Sequence, residues 1–177
     1  MNLGLLVLRV VVGVLFAGHG AQKLFGAFGG AGIEGTAAGF EKGGLRPGRL
    51  HAWAAGFAEA GGGLLLALGL VTPFAAVALI AVMTAAIATV HAPNGVWVTK
   101  GGYEYNLVLI AVAVALAGAG PGAWSLDHAF GWDLAGTGWA IGALLVGVLG
   151  GALAVASGRW QTRLAENRHH DGQLGVR

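Results

Sequence analysis

Apolar residues along the chain gather into five long runs, separated by stretches rich in glycine, charge or aromatic side chains. A helix needs about 20 apolar residues to cross a hydrocarbon core of ~30 Å. The first run spans Leu3–Phe25, the second Leu50–Leu70, the third Thr72–His91, the fourth Tyr105–Ala119 and the fifth Gly138–Ser157. Each is long enough for a crossing or short of it by a turn. The first is too long for a signal-peptide core, lacks a small-residue cleavage site and carries charges inside it, so it reads as a retained helix. Pro73 suits the first turn of the third helix, where a missing N–H costs nothing. The short Gly69–Pro73 segment predicts a tight antiparallel hairpin of the second and third helices.

The connections differ in kind. Residues 26–49 are glycine-rich and hold Glu34, Glu41, Lys42, Arg46 and Arg49, with a short interfacial helix expected around Thr36–Lys42. Residues 92–102 are turn-rich. Residues 120–137 mix Trp124, Phe130 and Trp132 with Asp127 and Asp133, a composition that suits a loop lying in the membrane interface. No repeat at a fixed period and no second domain is visible.

Composition agrees with the bilayer. Only 10% of the residues are charged and 56% are hydrophobic, with a mean hydropathy of +0.72, whereas a soluble surface needs about a quarter of charged residues. The 34 glycines lie among Leu, Val and Ala, the pattern that lets membrane helices approach closely. The net charge of +2 does not indicate nucleic acid, because four of the ten basic residues sit beyond Ser157 in a tail that also holds Glu166 and Asp171. Such a tail beside a helix end is a cytoplasmic anchor near anionic lipid. With no cysteine, disulfides, thiol catalysis and iron–sulfur ligation by this chain are excluded.

Basic residues also set an orientation. With five crossings, Lys42, Arg46, Arg49, Lys100, Arg159, Arg163, Arg168 and Arg177 fall on one side, and the loops of the other side carry no Lys or Arg. The positive-inside rule then puts the N-terminus outside and the C-terminus in the cytoplasm of a multi-pass cell-membrane protein.

Ionisable groups within spans are expensive, so they mark function or paired structure. On the first helix Arg9, His19 and Lys23 share an arc of roughly 80° with Phe16 and Gly20, a face that must turn into the bundle. Glu59 lies near the middle of the second helix, between Gly56 and Gly63. Depth counted along the helices places Glu59 between Arg9 and His19, and the longer reach and permanent charge of Arg9 favour a buried Arg9–Glu59 ion pair. A structural pair that fixes packing is the plain alternative to a functional one. Near the inner rim, His19 and Lys23 of the first helix meet His91 at the end of the third and Tyr103, Glu104 and Asn106 at the start of the fourth. Singly these are anchors, snorkelling groups and a helix-start acid. Converging from three helices, His19, Lys23, His91, Tyr103, Glu104 and Asn106 form a candidate ligand-binding set. No His/Asp/Glu spacing marks a metal site, and two histidines at the rim suit haem poorly.

Arg9 with Gly13, Phe16 and His19-Gly20-x-x-Lys23-Leu24-Phe25-Gly26 resembles the opening signature of the DoxX family. So do Glu59-x-Gly61-Gly62-x-Leu64, Gly69-Leu70-x-Thr72-Pro73, Met83, His91, Gly101-Gly102-Tyr103-Glu104-Tyr105-Asn106 and Gly120-Pro121-Gly122-x-x-Ser125-Leu126-Asp127. The resemblance covers roughly residues 3–130 and implies a core of four transmembrane helices. The expected fold is therefore an all-α membrane protein: a four-helix transmembrane bundle over 1–130, a fifth C-terminal transmembrane helix in 131–158, and a disordered basic cytoplasmic tail over 159–177. Relatives include a subunit of an archaeal thiosulfate:quinone oxidoreductase, and actinobacterial members are linked to membrane-associated oxidoreductase complexes and thiol-stress resistance. The resemblance thus implies an integral membrane subunit of an oxidoreductase system, with quinone or a small sulfur species in the polar bundle interior. Its partners would be membrane lipid, an oxidoreductase protein or further copies of itself. The other class is a non-catalytic scaffold or a permease for small molecules or lipid. The chain carries no cofactor motif and no nucleophile elbow.

Overall fold

The computed structural model describes residues 2–174, with side chains described as far as Leu164. Among these residues all regular structure is helical. In chain order the helices are α1 (Asn2–Phe25), α2 (Gly32–Lys42), α3 (Gly48–Leu68), α4 (Thr72–Ala86), α5 (Glu104–Ala119), α6 (Leu126–Ala129) and α7 (Thr137–Leu174). A π-helical turn, Ile87–His91, and a tighter turn, Ala92–Asn94, carry α4 onward. By length and composition three helices can cross a membrane: α1, α4 with its extension to Asn94, and α7 over Thr137–Leu164. The other two long helices are marginal for clear reasons. α3 carries His51 and Glu59 among its 21 residues, and α5 has only 16.

Polar and apolar residues are distributed for lipid. Leu3, Val7, Val11 and Val14 on α1 and Ile141, Leu145, Leu149 and Leu153 on α7 lie exposed along outward stripes. Arg9, Glu59, Thr72, Asn106 and Asp127 are buried. Water would reward the opposite arrangement, whereas in a bilayer the polar groups must find partners within the protein.

Packing follows the small residues. α1 lies antiparallel along α3 in the most extensive contact of the fold. A Cβ added at Gly13 would come within 2.5 Å of the Gly63 carbonyl oxygen, and one at Gly63 within 2.5 Å of the Gly13 oxygen. The two backbones therefore touch directly, as only glycine allows. α4 sits centrally, packed on α3, α5 and α7, with Leu79, Ile80 and Met83 in the core. Trp139 meets Phe74 edge-on, ring centroids 5.8 Å apart, and fixes the start of α7 on the start of α4. By contrast, α1 barely meets α5 and α3 barely meets α7. Those two unclosed seams house the cavities described below.

The α3–α4 turn is locked by groups from far along the chain. Asp127, buried on α6, accepts from the amides of Val71 (2.7 Å) and Thr72 (3.0 Å) and from the Thr72 hydroxyl (2.7 Å). It thereby caps the first turn of α4, where orphan N–H groups need an acceptor. Val71 has a φ of 43°, a costly conformation for a β-branched residue, and the Asp127 bond to its amide holds it there. From the opposite side, the Arg9 guanidinium donates to the carbonyls of Ala67 and Trp124.

The interfacial helix expected around Thr36–Lys42 is longer, beginning at Gly32. The segment 159–177, expected as a disordered tail, instead prolongs α7 without a break as far as Leu174; residues 175–177 lie outside those described. The reason is that hydropathy shows where a chain leaves lipid, not where its helix stops. Gln161, Arg163, Leu164, Ala165 and Glu166 are all good helix formers. The prolongation is also held laterally: Thr162 donates to the Gly44 carbonyl at 3.0 Å and Arg159 to the Ala88 carbonyl at 3.0 Å.

Candidate functional site

The register of α1 on α3 decides which charges meet. Residues 13, 20 and 24 of α1 lie opposite 63–67, 60 and 56 of α3, so Glu59 is level with position 21. Arg9 is twelve residues away along α1, about 18 Å at ~1.5 Å per residue. The expected Arg9–Glu59 pair is accordingly replaced. Lys23 donates to Glu59 Oε2 at 2.5 Å, with the carboxylate side chain 4% exposed and the lysine 26%. The depth count failed because it set the end of the first apolar run level with the start of the second, Phe25 with Leu50, whereas position 24 of α1 lies opposite position 56 of α3. His19 is the next group in electrostatic reach of Glu59, while Arg9 has the Asp127 carboxylate as its acidic neighbour.

A cavity of about 320 Å³ opens beside the Lys23–Glu59 pair, in the seam between α1 and α5. His19, Lys23, His91 and Asn106 of the expected set line it, with Glu59, Met83 and Tyr105. Tyr103 and Glu104 do not. Glu104 instead accepts from the Val98 amide (3.1 Å), and the Tyr103 and Glu104 amides donate to the Gly95 and Val96 carbonyls. These two residues staple the 95–102 loop onto the start of α5. Gly102 lets that loop close, since a Cβ there would strike Val96.

The histidines are held by their Nδ1 atoms. His91, placed by the π-helical turn at the end of α4, donates from Nδ1 to the Gly101 carbonyl at 2.8 Å. His19 Nδ1 lies 3.0 Å from Gln22 Oε1 and donates to it. A neutral imidazole that donates from Nδ1 keeps a lone pair on Nε2, and neither ring makes a further hydrogen bond among the described residues. Asn106, buried at 5% exposure, gives its amide hydrogen to Met83 Sδ at 3.3 Å, and its carbonyl oxygen takes no bond among the described residues. The cavity therefore joins apolar walls from Leu15, Phe16 and Leu109 to imidazole nitrogens, an amide oxygen and an internally neutralised ion pair. No group of three or more His, Cys, Asp or Glu side chains among the described residues could hold a metal ion.

Sequence reasoning missed two residues. Tyr105 lines the cavity, although the candidate ligand-binding set took only Tyr103 of the two rim tyrosines. Asp127 looked like part of an interfacial loop; its signal was the Ser125-Leu126-Asp127 helix start, where Ser125 caps by accepting from the His128 amide. A family model described as DoxX matches residues 4–92, half of the chain. The match takes in α1 to His91 and stops before the Gly101–Asn106 and Gly120–Asp127 motifs. No curated protein and no solved structure matches the chain.

Proposed function

The chain belongs to the DoxX family of membrane proteins, and from that premise we propose that it is a membrane subunit of an oxidoreductase system whose polar cavity binds a quinone or a small sulfur species. The observation that carries the reading is the cavity itself. A quinone ring needs an apolar slot with polar groups at its two oxygens, and a ligand site of this type is mostly apolar with a few convergent polar groups. His19 and His91 supply Nε2 atoms that accept from a quinol hydroxyl when neutral and donate to a quinone carbonyl when protonated. Reduction of a quinone takes up an electron pair and a proton at each oxygen. The imidazoles suit the protons; the electrons come from a partner redox protein or from the sulfur species, since the chain has no cysteine.

The reading includes five crossings by α1, α3, α4, α5 and α7, with the N-terminus outside and the C-terminus in the cytoplasm. It is supported by the alternating direction of these helices and by the one-sided Lys and Arg distribution. Residues 1–130 form the DoxX-like bundle and 131–158 an added span. The competing reading is a non-catalytic scaffold or permease. It is favoured by the Lys23–Glu59 pair, which satisfies itself without a ligand.

Purified protein in nanodiscs tests the choice. Extraction should yield quinone in proportion to protein, and added short-chain quinone should bind. His91→Ala and Asn106→Leu should weaken that binding about tenfold, the loss of roughly 1.4 kcal/mol, while Tyr103→Phe leaves it unchanged. Binding that survives both cavity substitutions would place the ligand elsewhere.

A further inference from the structure

A second cavity, of about 350 Å³, lies in the other unclosed seam, between α3 and α7. The two cavities share four lining residues: Lys23, Glu59, Ala86 and His91. The ion pair and His91 thus form the boundary at which one space gives way to the other. Beyond that boundary the character changes. Small residues such as Ala54, Ala58, Ala81, Ala85, Gly150 and Ala154 make up about half of its lining, and bulkier apolar groups such as Leu45 and Val90, with the polar His51 and Thr89, complete a mostly apolar slot between helices. Ala54, Gly150 and Ala154 are exposed, so the slot opens on the flank of the bundle, where lipid lies.

We propose that this slot holds the apolar chain of an amphipathic bilayer molecule whose polar ring occupies the first cavity. The inference rests on the proposed reading of the first cavity as a ring site and adds the class of ligand: one with a long flexible chain, taken up sideways from the membrane between α3 and α7. A polar site inside a bundle has to admit its ligand somewhere, and a flank opening lets a lipid-soluble molecule enter without crossing water. The chain then lies against these mostly apolar walls, and the ring stops where Lys23, Glu59 and His91 begin. α7, like α5, lies outside the part of the chain matched by the family model.

The test is photolabelling of the full chain in nanodiscs, with a benzoquinone that carries a decyl chain ending in a diazirine. The proposal expects cross-links on residues 54–58, 81–90 and 150–155, suppressed by excess of the same benzoquinone without the chain, because ring and chain belong to one bound molecule. Gly150→Phe adds a measurement in a protein that folds. A Cβ at Gly150 meets only the Ala81 Cβ, at 3.8 Å, so the added side chain starts in open space on the lining of the slot, and labelling of these segments should fall. Labels scattered over outward residues such as Val11 and Leu145, with no competition, overturn the slot. Labels in the slot that decanoic acid suppresses and the chainless quinone does not leave the slot standing as a lipid site and sink the quinone reading. Specific binding of the chainless quinone without labels in the slot keeps the ring site and overturns this inference.

Discussion

Glu59 and Lys23 set the energetics of the bundle interior. A carboxylate this deeply buried is tolerated because the ammonium reaches it from the next helix, and removal of one partner leaves an uncompensated charge. Lys23→Met should cost about 3–5 kcal/mol, and Lys23→Met with Glu59→Gln less than the sum of the two single changes. Arg9→Met and Glu59→Gln, too far apart to interact, should add. Thermal unfolding in one detergent measures all five variants, and additivity for Lys23 with Glu59 would dissolve the pair. Asp127 offers a second residue-scale test. Asp127→Ala strands the amides of Val71 and Thr72, at a cost on the order of 3 kcal/mol, and those two amides should lose their protection from hydrogen exchange. The sequence made the polar face of α1 legible, because helical periodicity alone brings Arg9, His19 and Lys23 together. Which of them faces Glu59 was not legible, because that depends on the axial register of two helices, and register is set by where Gly13, Gly20 and Gly63 let backbones touch and where Gly56 admits the Leu24 side chain.

At the scale of elements, the expected helix starts lie within two residues of those observed for all five long helices, since turns at Gly69–Pro73 and the glycine-rich connections punctuate the apolar runs strongly. The π-helical turn before His91 had no sequence signal, yet it brings that ring to the Gly101 carbonyl. The role of Tyr103 and Glu104 was hidden for a related reason: a loop that folds back can consume polar groups that periodicity assigns to a pocket. The α1–α3 interface can be tested by paired substitutions. Gly13→Ala inserts a methyl against the α3 backbone and should lower the unfolding temperature sharply. Gly18→Ala meets nothing within 4 Å and should be neutral or stabilising by about 0.5–1 kcal/mol, the helical gain of alanine over glycine. Equal effects at both positions would mean that the helices do not approach so closely.

For the whole molecule, the question is how the bundle sits in its bilayer. A fusion after Arg177 should report cytoplasm and a fusion within residues 120–137 the outside; the reverse pattern would turn the protein over and move both cavities to the opposite leaflet. Both cavities lie at the end of the bundle marked by His91 and the 92–102 loop, while the Arg9 and Asp127 locks lie at the other end. The molecule is thus open along two seams near one face, whereas at the other a shallow surface hollow of about 420 Å³ lies beside Arg9 and Trp124. That division was only partly legible: the inner rim was expected from clustered polar residues, but a slot half lined by alanine and glycine looks in sequence like ordinary close packing.

The Asp127 cap also constrains the order of events during synthesis. Its partner Thr72 precedes it by 55 residues, which a ribosome takes about 3–11 s to add. Until Asp127 has been added and has reached the turn, the amides of Val71 and Thr72 lack this acceptor and Val71 is free to relax. The hairpin's final geometry is therefore reached only after α5 and α6 have followed it, and released chains truncated before residue 127 should be cleared by membrane quality-control proteases faster than chains truncated after residue 137.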